Sequence, residues 1–146
     1  PPPKSLLRDE KALMEQIDAA FDGVTLEDGI GLMTTQLLDM YAPREVCAAV
    51  APCEERSDWR RITPAMVRAC WDALIFTDPK GYRFLLPAWL TLDLRGQLGD
   101  FDALDYLPLL PENCGIYESQ AVLLNDRQLE AVINFIEYRQ REDCSP

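Results

Sequence analysis

The sequence predicts a mainly α protein, a single compact domain of about five helices with at most one short strand pair. Three observations carry that expectation. Apolar residues recur at helical spacing in several segments. Good cap residues or prolines precede those segments and glycines follow them. The 146 residues are 48% hydrophobic, enough for one domain to bury a core without a disulfide or metal.

The elements follow in order. Pro1-Pro2-Pro3-Lys4 is set aside as a disordered, trimmed or engineered start, and the domain is read as residues 1–146. From Ser5 to Phe21, Leu6, Leu13, Ile17, Ala20 and Phe21 form one amphipathic stripe, with Gly23 as its stop. Thr25-Leu26-Glu27-Asp28 resembles a capping box for a second helix carrying Ile30, Met33, Leu37, Leu38 and Tyr41. Pro43 suits the first turn of a short helix ended by Pro52. Thr63-Pro64 starts a helix running to Phe76, and Asp78-Pro79-Lys80-Gly81 reads as a turn. Tyr82–Leu86 reads as a short strand, and Pro87–Arg95 as a helix stopped by Gly96. Residues 97–118 look irregular, and Asn125-Asp126-Arg127-Gln128 caps a final helix through Leu129, Val132, Ile133 and Ile136.

Composition narrows the function. With 25 acidic residues, 14 basic ones and no histidine, the formal charge is -11. Such a chain repels the phosphate backbone, so nucleic acid is not an expected partner. Missing histidine removes the commonest general base, the histidine-dependent nucleophile systems and imidazole zinc sites. Gly29-Ile30-Gly31 lacks the rest of a phosphate-binding loop. Asp100-x-Asp102 begins like a calcium loop, but Asp105 stands where glycine is needed and Pro111 where glutamate is needed. The expectation is therefore no enzyme, no cofactor, no catalytic residue and no metal. Five cysteines, odd in number and without a C-x-x-C pair, read as reduced thiols. Cys70 reads as core and Cys144 as exposed. No apolar run approaches membrane-spanning length, and a cytoplasmic location is expected.

The charge divides along the chain. Residues 9–28 hold seven acids and one base, as do residues 84–126, while residues 43–83 hold seven bases and six acids. Acids interleaved with aromatics mark a docking surface for a basic partner, because charge steers encounter and aromatics anchor it. The expected contacts are Asp100, Asp102, Asp105, Tyr106 and Glu112, with Asp18, Asp22, Glu27 and Asp28 as a second patch. A non-enzymatic immunity-type inhibitor of a basic toxin or effector fits this pattern. The alternative is a small-molecule sensor in which Trp59, Arg60, Arg61 and Arg83 hold an anionic or nucleotide-like ligand.

Three stretches carry a resemblance. They are Asp58-Trp59-Arg60-Arg61-Ile62, Tyr82-Arg83-Phe84-Leu85-Leu86-Pro87-Ala88, and the Phe-x-Gly-Val-x-Leu-x-x-Gly-Ile-Gly-Leu run from Phe21 to Leu32. Over residues 15–140 the chain resembles an uncharacterised bacterial domain-of-unknown-function family. The resemblance implies a compact bacterial cytoplasmic domain and supplies no catalytic residue.

Overall fold

A computed structural model describes residues 4–113 and 115–143. The described residues form seven α-helices and no strand: α1 (Lys4–Ala20), α2 (Leu32–Asp39), α3 (Arg44–Val50), α4 (Pro64–Ala69), α5 (Ala73–Phe76), α6 (Pro79–Leu94) and α7 (Asp126–Asp143). Short 3₁₀ turns fill several connections, including Trp59–Arg61, Ala103–Tyr106 and Gln120–Leu123. The mainly α expectation holds. The three N-terminal prolines, Cys114 and Cys144 lie outside the described residues, whereas Lys4, expected to be disordered, opens α1.

Helix α6 organises the molecule. Ten of its 16 residues are buried, including Tyr82, Phe84, Leu86, Trp89 and Leu90. A helix enclosed on all sides has no polar face, so its sequence is a continuous apolar run that periodicity cannot separate from a strand. Tyr82–Leu86 is thus helical, correcting the strand expectation. Asp78-Pro79-Lys80-Gly81 is the start of α6 and not a free turn: Asp78 is the N-cap, accepting from the Gly81 N–H at 2.8 Å. Pro87 consequently sits inside the helix rather than in its first turn, where core packing on every side holds the chain helical despite the missing N–H. Gly96, at φ 68°, stops the helix as expected.

Helices α1 and α7 pack on each other, and α1 packs on α6, burying Leu13, Ile17, Phe21, Val132 and Phe135 in one core. The α7 capping box forms reciprocally, the Gln128 N–H reaching Asn125 Oδ1 at 2.8 Å and the Asn125 N–H reaching Gln128 Oε1 at 3.0 Å. The expected box at Thr25 does not form. Glu27 takes a left-handed φ of 56° and the Leu26 N–H goes to the Arg56 carbonyl. Helix α2 begins at Leu32 instead, capped from a distance by Glu54, whose two carboxylate oxygens accept from the N–H groups of Met33 at 2.8 Å and Thr34 at 2.9 Å. Pro43 is the residue before α3 rather than its first helical residue. The expected helix from Pro64 to Phe76 breaks at Cys70, whose φ of -122° and ψ of 45° separate α4 from α5. Cys70 is buried, as expected, and Cys47, Cys53 and Cys70 are all free thiols.

Helix α2 docks on α5, and the two bring a pair of acids together. Asp72 is buried with Oδ1 lacking a hydrogen-bond partner, and the Asp39 carboxyl lies beside it. Burial, and then Asp39, push the Asp72 carboxyl above its ordinary value. A raised folded value makes the contribution of this group fully present below pH 3.8 and lost as pH rises through the folded value. Asp72→Asn should therefore stabilise the protein at neutral pH, by roughly 1 kcal/mol. The gain should vanish below pH 3.8, where the parent carboxyl is protonated in both states. Thermal melts of both proteins across this range check it, and an Asn variant that is less stable at neutral pH contradicts it.

Candidate functional site

The C-terminal end of α6, the loop after it and the last turns of α7 enclose a cleft of about 370 Å³. Gly96 and Gly99, at φ 68° and 80°, make the turns of this loop and line the cleft. Four carboxylates line the cleft, from Asp93, Asp100, Asp102 and Glu142, against one guanidinium, that of Arg139, with Phe101 beside them. Arg139 Nη1 donates to Asp93 Oδ1 at 2.6 Å and to Asp102 Oδ1 at 2.9 Å, and Nη2 donates to Asp102 Oδ2 at 2.9 Å. Glu142 lies 3.5 Å from Arg139 Nε. Backbone donors complete the arrangement: the Ala103 N–H reaches Asp93 Oδ2 at 3.0 Å and the Leu104 N–H reaches Asp102 Oδ1 at 2.9 Å.

These contacts set the ionisation of the cleft. Burial pushes the Asp93 carboxyl up, and the Ala103 N–H and Arg139 only partly offset it. Burial also opposes the charge on Arg139, but Asp102 and Asp93 outweigh it and hold the guanidinium above its ordinary range. Outside the cleft, Asp105 is pushed up by partial desolvation and then by Asp102, with Arg139 opposing. Asp100 is exposed and has no ion pair among the described residues.

The expected contact residues fall into different environments. Asp100 and Asp102 line the cleft, although Asp102 is also held by Arg139 and by the backbone of its own 3₁₀ turn. Asp105 and Glu112 are exposed outside it. Tyr106 is 5% exposed and belongs to the core, where its ring meets Tyr117 and its carbonyl accepts from the Tyr82 hydroxyl at 2.7 Å. Alternation of acids with aromatics does not reveal which side of a 3₁₀ turn faces inward, and here the ring does. Asp93, Glu142 and Arg139 were not anticipated. Their signal is tertiary, since Asp93 and Arg139 are 46 residues apart.

The second acidic patch is largely balanced by the Arg-rich centre. Arg60 Nε donates to Asp18 at 2.6 Å, Nη2 to Asp22 at 3.1 Å and Nη1 to Asp58 at 3.3 Å. Its guanidinium lies 4.6 Å from the centre of the Trp59 ring, while the Trp59 Nε1–H donates to the Phe21 carbonyl at 3.0 Å. Asp18 above all raises the Arg60 guanidinium above its ordinary range. Arg83 pairs with Glu27, and Lys80 with Asp28, whose carboxyl Lys80 holds below its ordinary value. Arg61 is exposed and stands 4.0 Å from Glu55. The four residues expected to share a ligand are therefore dispersed: Trp59 and Arg60 line a common cavity that neither Arg61 nor Arg83 lines.

Among the described residues no group of three or more His, Cys, Asp or Glu is arranged to hold a metal ion. No described helix is long and apolar enough to cross a membrane. No curated protein and no solved structure matches this chain. A family model matches residues 9–145, nearly the whole length, and the protein accordingly belongs to DUF6714, a family of unknown function.

Proposed function

We propose that this protein is a non-enzymatic interaction module, an immunity-type inhibitor that binds a basic toxin or effector and blocks it with an acidic surface. The observation that carries the reading is the cleft at the end of α6, where four carboxylates face one guanidinium beside Phe101. A surplus of negative charge in a concave site attracts lysine and arginine side chains and accelerates encounter with a basic surface. Carboxylates placed in this way occupy the positions of substrate phosphates in a toxin that acts on an anionic substrate. Asp100 in the cleft, and Asp105 and Glu112 outside it, are exposed and have no ion pair among the described residues.

The test uses the native cell as the source of partner. The chain and its Asp100→Asn/Asp105→Asn/Glu112→Gln variant are each used for capture at low and high salt, and the protein retained is identified. The reading expects a basic protein that is toxic when expressed alone and harmless when co-expressed with the parent chain. Its association rate with the triple variant should fall about tenfold or more at low salt, with little difference at high salt. An acidic or non-toxic partner, or a rate indifferent to both the substitutions and the salt, overturns the reading.

A further inference from the structure

We infer that a second cavity, on the face formed by α1, the Trp59–Arg61 turn and the C-terminal half of α6, binds a free amino acid with an apolar side chain. The cavity measures about 390 Å³, within the 300–1,000 Å³ span of small-molecule pockets. It does not share a residue with the acidic cleft, and the inference does not rest on the inhibitor reading.

The walls divide by chemistry. Trp59, Ile62, Ala88 and Leu92 are each at most 5% exposed and form an apolar floor. Of the other six lining residues, Met14 and Thr91 are uncharged and four are charged: Glu15 and Asp18 from α1, Arg60 from the turn, and Arg95, which caps α6. Asp18 and Arg60 hold each other at 2.6 Å. Glu15 and Arg95 have no ion pair among the described residues, and they come from different walls.

The unengaged charges are thus one carboxylate and one guanidinium, separated by an apolar floor. A simple anion in this cavity meets two carboxylates, and a simple cation meets two guanidinium groups. A zwitterion satisfies both sides, its carboxylate on Arg95 and its ammonium on Glu15. Local helix geometry supports that division. Thr91 and Arg95 are four residues apart, as neighbours on one helical face, so the Thr91 hydroxyl is placed to share the carboxylate. Glu15 and Asp18 are three apart on α1 and flank the ammonium in the same way. The apolar side chain then covers Ile62 and Leu92.

Isothermal titration of the full chain tests this with L-leucine, L-methionine and L-phenylalanine, and with isovalerate and isoamylamine as single-charge analogues of leucine. Leucine should bind saturably, and each analogue should bind about tenfold or more weakly than leucine, or not at all. Arg95→Gln and Glu15→Gln alter exposed side chains outside the core, so they should melt like the parent. Each should weaken amino-acid binding about tenfold, while Asp100→Asn should leave it unchanged. Absence of saturable binding by all three amino acids overturns the inference. Equal binding of leucine and either analogue to the parent chain does so as well, without reference to any variant.

Discussion

Arg139→Met should lower the unfolding free energy by about 3–5 kcal/mol, because it removes one side of a buried ion-pair network and leaves the other behind. The Arg139 side chain is 15% exposed and that of its partner Asp93 only 7%. Without the guanidinium, Asp93 keeps the Ala103 N–H as a donor but loses its counter-charge, and Asp102 loses two of its hydrogen bonds. The methionine fills much of the vacated volume, so the loss reports stranded charge more than a cavity. Adding Asp93→Asn to Arg139→Met should recover more than half of the loss, since the stranded carboxylate is then gone.

The same substitution carries a pH signature. Arg139 is among the groups that hold the Asp93 carboxyl down against its burial, so in the variant the folded value rises further. A raised folded value favours the folded state at low pH and disfavours it once pH passes that value. The gap between parent and Arg139→Met should therefore be widest at neutral pH and narrow as pH falls toward 3.8, the ordinary value of the group. Urea unfolding at neutral and acidic pH measures both. A loss below about 1 kcal/mol at neutral pH would place the network among surface ion pairs, which contribute little.

What the sequence revealed and what it hid divides by the range of the interaction. The stripe of α1 was legible because one face is buried and the other wet, which gives Leu13, Ile17 and Phe21 their spacing. The α7 start was legible because both halves of its capping box lie within four residues. Helix α6 offered no such contrast, and the pattern Tyr82–Leu86 fits either structure. The start of α2 was hidden because its cap, Glu54, lies 20 residues from the Thr34 N–H it accepts. The candidate site divides in the same way. Asp100 and Asp102 cluster locally and could be named, while Asp93, Arg139 and Glu142 join them only where the C-terminal ends of α6 and α7 meet.

Gly81→Ala exposes a conflict between local preference and tertiary contact, and its sign decides which one governs the start of α6. Helix propensity alone favours alanine over glycine by about 1 kcal/mol. Yet a Cβ at Gly81 would overlap the Thr77 hydroxyl and the Ile30 carbonyl, two groups that are hydrogen-bonded to each other at 2.8 Å. Asp78 Oδ1 joins the same knot, accepting from the Gly81 N–H at 2.8 Å and from the Ile30 N–H at 3.1 Å. The loop and the helix start are already in close approach here, because a Cβ at Gly29 would stand 2.8 Å from Lys80 Cβ. Gly31 is enclosed by the Glu54 carboxylate that caps α2, which carries the displacement into the next helix. Overpacking combined with loss of these bonds should destabilise Gly81→Ala by about 3 kcal/mol. Gly96→Ala provides the comparison, since its φ of 68° is strained for alanine but nothing lies within 4 Å. That variant should lose about 1 kcal/mol. Denaturant unfolding of both variants separates the explanations: if Gly81→Ala is neutral or stabilising, propensity governs this helix start and the close approach of the two backbones does not.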